Sequence, residues 1–154
     1  IAEDFKLDTG TFVRVGALRT ALLSGIPLLS DAVIAGENRS FACALGWLNM
    51  TAAASQLGEQ LETAGELATS AALAGYLSRG LADYNETASG SANRIERLAI
   101  MTLPADLDAG EITDKGYINQ RTVLTRRADL VDALYADPPP TGVICAAAAH
   151  EPPA

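Results

Sequence analysis

At 154 residues the chain has length for one domain with a real core, although its 49% hydrophobic content leans heavily on alanine. A formal net charge of −8 and an isoelectric point near 4.5 argue against nucleic acid and anionic membrane surfaces as partners, because the average field repels both. No apolar run approaches the roughly 18 residues of a membrane span, and Cys43 and Cys145 form neither a disulfide framework nor a metal-ligand spacing.

Residues 5–7 and 11–15 are short β-prone runs joined by Asp8-Thr9-Gly10, a turn composition that predicts a small hairpin. From Val15 to Ser24 the apolar residues Val15, Leu18 and Leu22 recur at helical spacing, and Gly25 and Pro27 end the run. Residues 32–36 and 41–48 read as two strands around the polar turn Glu37-Asn38-Arg39-Ser40. Their nearly continuous apolarity implies burial on both faces, with Cys43 as a small buried hydrophobe. Between Asn49 and Glu86 the composition turns helical: Leu57 and Leu61 share one face, Leu73, Leu77, Leu81 and Tyr84 another, and Gly65 is the expected break.

Thr87 to Asn93 is a loop by composition, and Arg94 to Leu103 predicts a strand carrying Ile95, Leu98, Ile100 and Leu103. A second loop, marked by Pro104, Asp106, Asp108 and Gly110, leads to Lys115. Asn119 then caps one last helix, with Val123, Leu124, Leu130, Val131, Leu134 and Tyr135 inward and Arg126, Arg127, Asp129 and Asp132 in water. Pro138-Pro139-Pro140 stops it, and Thr141 to Ala154 has no periodicity and reads as an extended or disordered tail. The element order gives an α+β domain, a small β-sheet with helices packed against it and preceded by a short β-hairpin. The expected divisions are 1–4, a linking segment; 5–137, the domain; and 138–154, the tail.

The chain opens on Ile1-Ala2-Glu3-Asp4 without an initiator Met, as a fragment would, so something is expected to precede it. Asn38, Asn49 and Asn85 head Asn-x-Ser/Thr sequences, but no secretory signal accompanies them and the compartment reads as cytoplasmic. His150, in the tail, has no partner at triad or metal-ligand spacing. Gly110 and Gly116 lack the Lys-Ser/Thr ending of a phosphate loop, so the chain has no complete nucleotide cradle of its own.

Lys115 taken alone is an ordinary solvated lysine on a loop. Its setting, Gly110-Glu111-Ile112-Thr113-Asp114-Lys115-Gly116-Tyr117-Ile118-Asn119-Gln120-Arg121, resembles the last core motif of the acyl-adenylate-forming enzymes, in the variant of bacterial feruloyl-CoA synthetases. The stretch from Asp4 to Gly16 resembles the same family's motif just beyond the hinge between its large and small domains. The two matches imply a mobile C-terminal domain working with an N-terminal domain of the same polypeptide, on a small aromatic or other carboxylic acid, with ATP, Mg2+ and CoA as co-substrates. No metal site is implied for this domain.

The resemblance makes Lys115 the catalytic lysine that meets the reacting carboxylate and the α-phosphate, and Lys6 a contact to the adenylate. The commoner family pattern has Gly before that lysine, where this chain has Asp114; Lys6 is the only other lysine, and Arg121 is the alternative cation within the motif. The resemblance also implies a CoA-side surface including Gly10, Arg14 and Gly16, and a hinge near Ala2 or Glu3. From a different class, the rival reading is a stand-alone α+β interaction or ligand-binding module without catalysis, with Lys115 as a loop charge.

Overall fold

A computed structural model describes residues 3–57 and 70–146. It opens with the expected hairpin, β1 (Phe5–Lys6) against β2 (Phe12–Val13), followed by helix α1 (Val15–Gly25). Phe5, Leu7 and Val13 turn into the core and fix the hairpin to the domain. The ring of Phe5 lies so close over Gly36 that a Cβ there would come within 3.0 Å of it. Arg14 offers no side-chain cap to α1, and Asp4 does so from across the hairpin, its Oδ1 accepting from the Val15 N–H at 2.9 Å.

The central sheet has the order β3 (Leu29–Ala35), β4 (Cys43–Leu48), β5 (Arg97–Ile100), β6 (Val143–Cys145). The β3–β4 and β5–β6 pairs are antiparallel and β4–β5 is parallel, with Val33 opposite Leu45 and Ala44 opposite Leu98. Every residue of β4 is buried, as its unbroken apolarity requires of a central strand covered on both faces. Ala32, Ile34, Ala44 and Leu98 face α1 and helix α3 (Ala71–Thr87), which contribute Leu18, Leu22, Leu73, Leu77 and Leu81. Val33, Cys43, Leu45, Trp47 and Ala99 face the other way, toward Val123 and Leu134 of helices α4 (Gln120–Arg126) and α5 (Ala128–Tyr135). Burial pushes the Cys43 thiol up to about 11, so it behaves as the small hydrophobe expected.

Helix α2 (Met50–Leu57) follows β4, with Asn49 Oδ1 accepting from the Ala52 N–H at 3.0 Å. Leu61 and the break expected at Gly65 lie outside the described residues, as do Ala2 and His150. None of the described helices is long and apolar enough to cross a membrane.

Three expectations need correction. The strand expected over 94–103 is confined to Arg97–Ile100, because the chain leaves the sheet after Met101 and Leu103 turns into solvent. The one last helix is two, broken at Arg127 (φ −109°, ψ 36°), whose side chain is drawn inward to a buried carboxylate. Part of the tail is a strand: Val143–Cys145 completes the sheet beside β5, since Val143 and Ile144 are β-branched and Ile144 is buried opposite Leu98.

Candidate functional site

Lys115 sits on a tight hairpin. Thr113, Asp114, Lys115 and Gly116 form a turn closed by Gly116 N–H donating to the Thr113 carbonyl at 2.9 Å and Thr113 N–H donating to the Tyr117 carbonyl at 2.7 Å. Gly116 has φ +85°, a left-handed conformation that favours glycine, and Ile112 pairs with Ile118 one step below. Asp114, Lys115 and Tyr117 are all exposed, Tyr117 at 70%. Among the described residues no hydrogen bond or ion pair engages the Lys115 side chain, so its direction comes from the hairpin backbone alone.

The root of that hairpin is Glu111, a carboxylate with no exposed surface. Its two oxygens accept from Arg127 Nε and Nη2, both at 2.9 Å, and from the Asp106 N–H at 2.8 Å, with Arg126 Nη1 at 3.2 Å. Its peptide is held as firmly: the N–H donates to the Asp106 carbonyl at 3.0 Å and the carbonyl accepts from the Asn119 N–H at 2.8 Å. The Arg127 hydrogen bond leads the influences that hold the Glu111 carboxyl below its ordinary value, against the desolvation that burial imposes. The same guanidinium donates to the carbonyls of Leu103 at 2.8 Å and Pro104 at 3.0 Å and stands 5.3 Å from the Trp47 ring. Trp47 Nε1 donates to that Leu103 carbonyl at 2.9 Å, so the loop is referenced to strand β4.

Asn119 caps α4 as expected, its Oδ1 accepting from the Thr122 N–H at 3.2 Å. The next residue, Gln120, is buried, and its Oε1 accepts from the Ile34 N–H at 2.8 Å, satisfying a donor on the open edge of β3. A cleft of about 140 Å³ lies between Glu3, Asp4 and Phe5 on one side and Gln120, Arg121 and Leu124 on the other.

The other candidates fall in one segment. Lys6 is exposed on β1 opposite Phe12, which is itself 47% exposed. Gly10 (φ +85°) is at the hairpin tip, Arg14 is exposed at the entry to α1, and Gly16 is in its first turn. Glu3 lies against this turn, its Oε1 3.6 Å from where a Gly16 Cβ would stand. Lys6, Gly10, Arg14 and Gly16 thus belong to one hairpin and helix entry, while Lys115 projects from a separate one. The sequence reading missed Glu111, Arg127 and Gln120. Only Gly110-Glu111-Ile112, a charge held between a turn glycine and an apolar residue, hinted at the first.

Comparison with known proteins gives a likeness of fold. No family profile matches the chain, and no curated protein matches it. Among solved structures, the adenylation domain of carboxylic acid reductase from Segniliparus rugosus, in complex with AMP and a co-purified carboxylic acid, superposes with a TM-score of 0.66 at 23% identity. The adenylation and carrier (A-PCP) didomain of that reductase, in complex with AMP, gives 0.64 at 23%, and the adenylation domain of a Mycobacterium chelonae carboxylate reductase gives 0.66 at 19%. Each match covers 88% of this chain, which spans only 17–20% of the solved chains.

Proposed function

We propose that the chain is the mobile C-terminal domain of an ATP-dependent acid:CoA ligase of the acyl-adenylate-forming kind, similar to feruloyl-CoA synthetase. Its active site is shared with an N-terminal domain of the same polypeptide. The observation that carries this reading is the exposed, unengaged Lys115 at the tip of a hairpin rooted on a buried ion pair. Among the described residues nothing engages that ammonium, which leaves it available to a site on another domain. The fold likeness to AMP-bound adenylation domains and the two sequence motifs support it.

The chemistry follows from the charge. A substrate carboxylate attacks the α-phosphate of ATP, pyrophosphate leaves, and negative charge grows between carboxylate and phosphate, where the Lys115 ammonium stabilises it; Mg2+ would accompany ATP as a co-substrate. In the second half-reaction a thiol attacks the acyl carbonyl and AMP departs. A rotation about the Ala2–Glu3 segment withdraws Lys115 and offers the surface around Gly10, Arg14 and Gly16 to the CoA side. Lys6 is the proposed contact to the adenylate.

A second reading keeps the adenylation step and changes the thiol: the fold likenesses are to reductases, one of them solved with its carrier domain, so a carrier-borne pantetheine would replace CoA. Acid-dependent ATP–pyrophosphate exchange tests the common core. The full-length polypeptide should catalyse it with aromatic acids and release AMP when CoA is added, whereas AMP release only with a carrier domain favours the second reading. The isolated chain should catalyse no exchange. Robust exchange by the isolated chain would place the whole site within it and contradict the shared-site proposal.

A further inference from the structure

Glu111 is the only buried carboxylate among the described residues, and burial of an ion pair rarely serves stability, since apolar replacements of similar volume do as well or better. What such a pair adds is direction. The planar fork of Arg127 meets both Glu111 oxygens, while its remaining donors fix the Leu103 and Pro104 carbonyls. The Glu111 carboxylate in turn holds the Asp106 N–H, and the Glu111 carbonyl accepts from the Asn119 N–H, so the residue that carries the ion pair is also one foot of the Lys115 hairpin. Four residues beyond Glu111, Lys115 has only this backbone to aim it.

We infer that Glu111 and Arg127 are positioning residues for the adenylation half-reaction, acting through Lys115: the pair sets where the ammonium stands when the hairpin enters the neighbouring domain's site. This rests on the reading of Lys115 given above. A donor that must meet developing charge within a few tenths of an ångström loses its value when its support loosens, even though it is still present. The pair touches no substrate. Arg126, half-exposed at the rim, remains solvated when the pair is removed.

The test uses the full-length polypeptide with the Glu111→Gln/Arg127→Met double variant, which removes both charges and leaves none buried, and Glu111→Gln as a second variant that keeps Arg127 and an oxygen to accept from it. Formation of acyl-adenylate should slow by about 10- to 100-fold in kcat, with the KM for acid and ATP nearly unchanged. Conversion of preformed acyl-adenylate to thioester should stay near the parental rate, and amides 112–118 should exchange faster than in the parent. In a Lys115→Ala background the double variant should cause no further loss, because the pair acts only through that lysine. Parental adenylation in a folded double variant, equal loss in both half-reactions, or a loss that adds to that of Lys115→Ala would each overturn the inference while leaving the role of Lys115 standing. If Lys115→Ala itself leaves adenylation unchanged, the reading of Lys115 fails and the positioning role fails with it.

Discussion

The molecule contains two hairpins written in nearly the same local code and put to different ends. Leu7-Asp8-Thr9-Gly10-Thr11 and Thr113-Asp114-Lys115-Gly116-Tyr117 each place Asp second and Gly fourth. In both, the first N–H donates to the fifth carbonyl (2.9 and 2.7 Å), the Gly N–H donates to the first carbonyl (2.9 Å in each), and the Gly φ is +85°. The turns are the same object; their roots are not. The first hairpin is held by Phe5, Leu7 and Val13 in the core, and its backbone is tied to the β3–β4 turn by Asp8 N–H donating to the Arg39 carbonyl at 2.9 Å. The second has half-buried Ile112 and Ile118 on its flanks and a buried ion pair at its base. Both tips, Asp8 to Gly10 and Asp114 to Gly116, are exposed, and the difference lies below them: an apolar root in one, an ionic root in the other.

That contrast is broken most forcefully by removing each root. Glu111→Ala strands the Arg127 guanidinium, which is only 12% exposed, and should cost about 3–5 kcal/mol. Leu7→Ala should cost about 2–5 kcal/mol through its cavity. The distinguishing result in urea unfolding is rescue: Arg127→Met should restore most of the stability lost in Glu111→Ala, and nothing comparable repairs Leu7→Ala. Failure of that rescue would mean that the second root is held by packing, like the first.

Acid should separate the hairpins by a smaller margin. The folded Glu111 carboxyl lies below its unfolded value, about 4.3 for a glutamate, so its stabilisation is fully present above that pH and is lost as pH falls through the folded pKa. Amide resonances of residues 111–119 should therefore shift together as pH falls through the folded pKa of Glu111, while those of residues 7–11 move less. Equal movement in the two hairpins would contradict the ionic root.

The smallest effect sharpens what the hairpins share. Gly10→Ala and Gly116→Ala meet no atoms within 4 Å, so each should cost only the left-handed penalty, about 1–2 kcal/mol, and the two costs should agree. Thermal unfolding of the two variants measures this, and a large difference would show that one turn is constrained by something beyond its own backbone.

Legibility in the sequence follows the same division between local and distant causes. Asp8-Thr9-Gly10, the Asn119 cap and the apolar run of β4 are local statements, and each element forms where the residues predict it. The break at Arg127 could not be read, because the helical pattern continues through it and the carboxylate that draws it inward is sixteen residues earlier. Nothing local marks Gln120 for burial, because its partner is a peptide of the sheet's edge eighty-six residues away. Strand β6 is three residues long, and only its pairing with β5 makes it a strand. The exposed Lys115 tip was legible, and the pair beneath it was not.

The central claim is that Lys115 supplies charge to one half of a two-step reaction, and the most direct measurement separates the halves in the full-length polypeptide. Losing one such donor costs about 10²–10³ in rate, so Lys115→Ala should slow acyl-adenylate formation from acid and ATP by that factor. The same variant should convert preformed acyl-adenylate to the CoA thioester at near the parental rate. Equal loss in both steps by a folded variant, or no loss in either, would contradict the account.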